Sequence, residues 1–193
     1  MSTVQVDTIN ESTTGSGVTV DGVLIKDGNV DGVDVSGITS SITQGITEID
    51  TWALTATISS DGDITSNLAR YNGTNSGYKG TGMTQSSGIF TFPSTGFWQI
   101  SMGIHGRVGN DDGAGIALKA TDNNSSYSVI GYVYLGGTGS NIYFGYDNSF
   151  IIDVTDTAND KVKFTGDGFS SASIYGGAAG HLSQFRFVRL GDT

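Results

Sequence analysis

The side chains best suited to chemistry are few and lie far apart in this sequence. The chain of 193 residues has two histidines, His105 and His181, and no cysteine. A zinc site needs ligands at short and regular spacings, which these histidines do not offer. The Gly-x-Ser-x-Gly turn that carries the nucleophile of many hydrolases is also absent. We therefore expect neither histidine to serve as a metal ligand or a general base.

The carboxylates offer little more. Glu48 is the only glutamate after residue 11, so the carboxyl pair of a glycosidase would have to come from aspartates such as Asp61 and Asp63. The pair Asp111 and Asp112, in a Gly-Asn-Asp-Asp-Gly loop, could hold calcium together with loop carbonyls, or it could be an acidic turn that binds nothing. The sequence predicts no enzyme and no cofactor.

Composition indicates what kind of scaffold carries these residues. The chain has 30 glycines and one proline, and only 15% of its residues are charged. Glycine and β-branched residues are poor helix formers. Aromatic residues make up 10% of the chain, which argues against disorder. No apolar run approaches the roughly 18 residues of a membrane helix, so we expect no membrane partner.

The charge excludes another class of partner. The net charge is −10, and the nine lysines and arginines are scattered. A protein that binds duplex nucleic acid needs clustered cations to neutralise phosphates, so we expect no nucleic acid partner. The N-terminus lacks the basic and apolar regions of a signal peptide, and the sequence predicts synthesis in a cytoplasm.

Residues 1–49 form a segment of their own, with seven acidic side chains, one lysine and no aromatic residue. Residues 17–23 recur in similar form at 32–38. Alternating valines and Asp-Gly pairs predict short strands joined by tight turns. Such strands need a partner to cover them, so we expect an anchoring or trimerisation arm, ordered by wrapping with sister chains or by docking on another surface, rather than a mobile acidic leader. The anchoring residues we predict are Val18, Val20, Val23, Ile25, Val33 and Val35.

The end of this segment allows two structures. Ile38, Ile42, Ile46 and Ile49 recur at spacings of four, four and three, which would place them on one face of a helix. Gly45 and several Ser/Thr residues weaken that helix, so an extended connector is the alternative.

From residue 50 to residue 193 the sequence predicts eight or more short strands separated by Gly/Asn/Asp turns. Together they indicate an all-β fold, an antiparallel sandwich or jelly roll. The predicted strands cover residues 52–58, 89–92, 97–105, 116–119, 128–134, 142–154, 161–164 and 184–190.

This second part resembles the jelly-roll heads of the complement subcomponent q and tumour necrosis factor superfamily. The matching stretches are Gly77-Tyr78, residues 88–98 with their Phe-Thr-Phe-Pro-Ser-Thr-Gly-Phe-Trp series, residues 159–162 and residues 185–188. The resemblance implies a homotrimer, and in that family calcium sometimes binds near the trimer apex. The last strand departs from the pattern at Arg186 and Arg189, where apolar residues are common.

The first part resembles a different group. Residues 22–36, with their repeated Asp-Gly and Asp-Val-Ser pattern, are similar to segments of tailed-phage virion proteins, notably fibres. The combination implies a structural virion protein, assembled in the host cytoplasm. We expect a trimeric capsid decoration or cement protein that binds other virion proteins through its arm. A short fibre whose knob binds a host-surface glycan is the alternative.

Aromatic residues at alternate positions also favour assembly. The pairs Tyr132 and Tyr134, and Phe185 and Phe187, each share one face of a strand. We predict that these four residues lie at the trimer interface, covered by a sister subunit. The alternative for the tyrosines is an ordinary surface at which their hydroxyls contact water.

Overall fold

The computed structural model describes residues 15–16, 18–20, 23–26, 29–30, 33–34, 45–71, 77–109, 113–139, 141–177 and 182–193. The chain divides into two compact units, residues 1–45 and 46–193. We call the first unit the arm and the second the head. None of the described residues belongs to a helix, let alone one long and apolar enough to cross a membrane.

The arm contains one small antiparallel sheet of four strands in the order β1-β2-β3-β4. Its strands are β1 (Val18–Val20), β2 (Val23–Lys26), β3 (Asn29–Val30) and β4 (Val33–Asp34). Val18 pairs with Ile25, Val20 with Val23 and Val30 with Val33. Five of the six predicted anchoring residues therefore occupy strand positions, and Val35 lies outside the described residues.

The predicted isoleucine helix falls largely on residues that the structure does not describe. Ile38 and Ile42 lie outside the described range. Ile46 belongs to no strand, and Ile49 is the first residue of a strand in the head.

The head is a sandwich of two antiparallel sheets. The front sheet has the order β13-β10-β16-β5-β7, with β15 paired to one end of β10. Its strands are β5 (Ile49–Leu54), β7 (Leu68–Arg70), β10 (Gly96–Val108), β13 (Ile142–Val154), β15 (Ser173–Ile174) and β16 (Gln184–Gly191).

The back sheet has the order β12-β11-β14-β9-β8, with β6 paired to β14. Its strands are β6 (Gly62–Asp63), β8 (Thr84–Ser86), β9 (Ile89–Thr91), β11 (Gly113–Thr121), β12 (Ser128–Gly136) and β14 (Lys161–Asp167). The long strands β10, β13 and β16 lie in the front sheet and β11, β12 and β14 in the back sheet, so the chain crosses repeatedly between the sheets, as it does in a jelly roll. The predicted fold class is confirmed.

Side chains that point inward from the two sheets fill the space between them. In β10 the buried residues are every second one, including Trp98, Ile100 and Met102. Trp98 is 1% exposed and donates its indole N–H to Ser94 O, so it offers no surface on which a sugar could stack.

Phe185 and Phe187 point into the same core. Both are 0% exposed, and the Phe185 ring stacks on Phe164 at a centroid distance of 4.0 Å. Phe187 packs against Phe90 at 5.1 Å. These two side chains are therefore enclosed within their own subunit and cannot contact a neighbour. Their spacing of two places them on one face of β16, as predicted, but that face is the inner one.

Candidate functional site

The aspartates considered for chemistry hold the back sheet together. Asp63 lies 2.7 Å from Lys163 Nζ and accepts a hydrogen bond from the Thr165 hydroxyl, also at 2.7 Å. Partial burial raises the pKa of Asp63, but the hydrogen bonds and positive charge of these neighbours outweigh it, and the pKa lies below the ordinary 3.8. Asp61 accepts the backbone N–H of Phe169 at 2.8 Å. Both carboxylates thus accept hydrogen bonds from the back sheet or from the loop that follows β14.

His105 lies on the outer surface of the front sheet. Its ring packs beside Tyr175 with a centroid distance of 5.7 Å. Within the described part of the chain, no three His, Cys, Asp or Glu side chains are grouped so that they could hold a metal ion. His181, Asp111 and Asp112 lie outside the described residues, so the calcium alternative stays a prediction.

The most distinctive surface of the head is the outer face of the front sheet. Since Trp98, Ile100 and Met102 point inward, Gln99, Ser101 and Gly103 point outward. Cross-strand partners share a face, so the register extends this face across four strands, although Thr51 and Ala53 at its β5 side are buried. Three rows result: Ile151, Gln99, Val188 and Ile49; Ser149, Ser101, Arg186 and Thr51; and Asp147, Gly103, Gln184 and Ala53.

The middle of this face is a shallow groove of about 570 Å³. Its floor is low because Gly103 and Gly145 carry no side chains, and nothing lies within 4 Å of where a Cβ on Gly103 would be. Ser101 and Ser149 are hydrogen-bonded across the floor at 2.8 Å. Leu182, Gln184 and Arg186 also line the groove. Small side chains in the centre of a sheet face allow another surface to approach closely.

The groove carries two charged groups of opposite sign. Arg186 and Asp147 both line it, and neither has an ion-pair partner among the residues that the structure describes. Both charges are available to a molecule that covers the groove.

Apolar side chains flank the groove at both ends. Ile151 is 64% exposed at one end, in the same row as Val188 and Ile49. At the other end Tyr143 is 62% exposed, and its ring lies 6.3 Å from that of Tyr175. Exposed apolar groups that border a polar groove are typical of an interaction surface.

The two tyrosines predicted at the trimer interface lie elsewhere, on the outer face of the back sheet. Tyr132 is the register partner of Ala117, and Tyr134 lies over Gly115. Both rings are about half exposed, whereas the intervening Val133 is buried. Their role as interface residues remains a prediction, since β12 is an edge strand that a neighbouring subunit could contact.

Sequence reasoning missed one cluster at the start of the head. Asp50 is fully buried and accepts hydrogen bonds from Trp52 Nε1, Arg70 and Met83 N. Glu48 accepts hydrogen bonds from the backbone N–H groups of Thr81 and Gly82. These partners come from three separate stretches of sequence, so no local pattern indicates the cluster.

Comparison with known proteins identifies the fold of the head. No protein-family model and no curated protein matches the sequence. The solved structure of the TNF protein Eiger from S. frugiperda matches 75% of this chain and 93% of its own, with a TM-score of 0.59 and 11% identity. Murine APRIL matches 74% of this chain and 98% of its own, with a TM-score of 0.54 and 10% identity. PRD1 vertex protein P5 gives a weaker match, with a TM-score of 0.45 and 18% identity over 76% of this chain and 99% of its own. At these identities Eiger and APRIL define the fold alone, and the head has the jelly-roll fold of the TNF-like proteins.

Proposed function

We propose that this chain is a structural protein of a tailed-phage virion, a homotrimeric capsid decoration or cement protein that is attached through its arm. The outer face of the front sheet is the observation that carries the proposal. Its small central residues, its two charges without an ion-pair partner among the described residues, and its exposed apolar ends fit a surface that copies of the same chain cover.

Trimer formation on this face requires a second, different surface from each neighbour, because a ring of three is built from head-to-tail contacts. The edge formed by β12 and β13 supplies one, with Ile130, Tyr132 and Tyr146 exposed along it. Burial of these side chains would give the association its hydrophobic component.

The arm supports the attachment step. Its strands are only two to four residues long, against roughly five to six in a typical strand, so we expect the arm to need a covering surface. Three arms joined by one trimer would bind a particle with avidity, although each single contact is weak. The protein would act without catalysis, as part of the assembled virion.

Deletion of the arm, residues 1–45, tests the proposal. We expect the deleted protein to remain a trimer by sedimentation and to lose binding to purified phage shells. The full-length protein serves as the control, and labelled copies should cover the shell in electron micrographs. A full-length protein that is monomeric in dilute solution, or that does not bind the shells, would contradict the proposal.

The alternative is a short fibre with a glycan-binding knob. The exposed ring of Tyr143, beside the hydrogen-bonding groups of the groove, is the observation that favours it, because sugars stack on such rings. A fibre would appear in few copies at a vertex or tail. It would bind host cells, and binding would be lost in a Tyr143→Ala variant.

A further inference from the structure

The chain enters the head through residues whose carboxylates bind one loop. Glu48 lies three residues after the boundary between the two units. Its Oε1 accepts the N–H of Thr81 and its Oε2 that of Gly82, both at 3.0 Å. Two residues later, Asp50 Oδ2 accepts the N–H of Met83 at 2.8 Å. Alternate residues of the entering strand therefore bind successive positions of the loop formed by residues 79–83.

The loop is shaped around these carboxylates. Between them, Ile49 and Lys79 exchange two backbone hydrogen bonds of 3.1 and 2.8 Å. Gly80 and Gly82 have φ angles of +82° and +74°, which glycine adopts at little cost. A Cβ on Gly80 would also collide with the carboxyl group of Glu48. The loop could not approach the carboxylate as closely with a larger residue there.

The position of this cluster matters because of how β5 is paired. β5 and β16 are antiparallel, and Ile49 at the start of β5 lies opposite Val188 near the end of β16. The chain therefore enters β5 and leaves β16 at the same end of the front sheet. A pull between these two points would separate the two strands one residue pair at a time, so the backbone hydrogen bonds would break in sequence rather than together.

We propose that Glu48 and Asp50 form a mechanical lock that keeps the head folded when tension arrives through the arm. Hydrogen bonds to a charged acceptor are stronger than those between neutral groups. The lock adds three such bonds, from Thr81, Gly82 and Met83, at the start of β5, where the two strands would separate first. The inference rests on the proposed function only for the source of the tension, which is attachment of the arm to a larger body.

Single-molecule pulling on the full-length chain tests the lock. The chain has no cysteine, so Ser2→Cys and Thr193→Cys provide unique attachment points for handles. In Glu48→Gln one of the two accepting carboxylate oxygens is replaced by an amide NH₂ group, which donates and cannot accept an N–H. We expect the unfolding rate at constant force to rise about tenfold. A charge-assisted bond that is present in the folded state but broken in the transition state slows unfolding, and the variant removes that effect.

Asp63→Asn is the matched control. It also removes a carboxylate, one that binds Lys163 and the Thr165 hydroxyl. That carboxylate lies in the back sheet, away from the start of β5. We expect its unfolding rate under load to stay within about twofold of the parent protein. A Glu48→Asp variant, which keeps the charge but shortens the side chain, should unfold faster than the parent, and circular dichroism checks that each variant folds.

An unchanged unfolding rate in Glu48→Gln, or an equal acceleration in Asp63→Asn, would overturn the lock. The experiment uses purified protein without phage. Failure to bind shells would therefore contradict the proposed function and leave the measured lock intact, whereas a rate that Glu48→Gln leaves unchanged would contradict the lock alone.

Discussion

Asp50 and Arg70 form a two-point ion pair inside the edge of the front sheet. Arg70 Nε lies 2.9 Å from Asp50 Oδ1, and Arg70 Nη2 lies 3.0 Å from Oδ2. The guanidinium is held between the rings of Trp52 and Tyr78, at 5.2 and 4.5 Å from their centroids. The pair therefore joins β5, β7 and the loop before β8 in one arrangement.

Removal of the Asp50 carboxylate should leave the partly buried Arg70 guanidinium and the N–H groups of Trp52 and Met83 without their acceptor. We expect Asp50→Ala to lower the free energy of unfolding by about 3–5 kcal/mol, measured by urea denaturation. Arg189→Gln is the control, since it breaks an ion pair with the highly exposed Asp192 together with one hydrogen bond to Thr95 O, and it should cost less than Asp50→Ala, about 1–2 kcal/mol. A loss below about 1 kcal/mol for Asp50→Ala would mean that the buried pair contributes little.

The stacked rings of Phe164 and Phe185 give a second prediction. Phe185→Ala should lower the free energy of unfolding by about 3–5 kcal/mol, because it leaves a cavity at the centre of the sandwich. Val129→Ala, at an exposed position of edge strand β12, should change it by less than about 0.5 kcal/mol. A stable, folded monomer from Phe185→Ala would instead place this residue at an interface.

Alternation of apolar and polar residues was sufficient to locate long strands of the head, but it did not show which face of each strand points into the core. The long strand predicted at 97–105 is β10, and the strand predicted at 142–154 is β13. Period two shows that Phe185 and Phe187 share a face, but it does not say whether that face is the inner or the outer one. Tyr132 and Tyr134 show the same pattern and point outward.

The features that the sequence did not predict involve polar residues whose partners are distant in the chain. The predicted strand 52–58 is in fact β5 at Ile49–Leu54, because Asp50 occupies an inward position that apolar patterning cannot recognise. Its partners, Arg70 and Met83, are brought to it only by the fold. The groove is a further example. Gly103, Gly145 and Ser149 are unremarkable in sequence, and they form one floor because β10 pairs with β13.

The third prediction concerns the outer face of the front sheet. Ser101 lies in the middle of this face, next to Arg186 in the register. Ser101→Arg adds a large cation that points to solvent in a single subunit but obstructs a covering neighbour. We expect a folded monomer, measured by sedimentation and near-ultraviolet circular dichroism.

Thr91→Arg provides the matched control for Ser101→Arg. Thr91 lies on the outer face of the back sheet, also beside a cationic register partner, Lys161. This variant should keep the oligomeric state of the parent protein. If Ser101→Arg instead has the same mass as the parent, the front-sheet face is not where the subunits meet.

The last prediction follows from Asp63. Because its pKa is held below 3.8 by Lys163 and Thr165, the ionised form favours the folded head. This contribution is fully present above the unfolded pKa of about 3.9 and is lost as the pH falls through the lower folded value. Asp63→Asn should therefore lower the free energy of unfolding at pH 7 by at most about 1 kcal/mol, since the site is partly exposed. The difference between the two proteins should shrink below about pH 4 in urea titrations. A difference that stays constant down to pH 2.5 would mean that the charge of Asp63 does not act on the fold, and that its effect is one of packing alone.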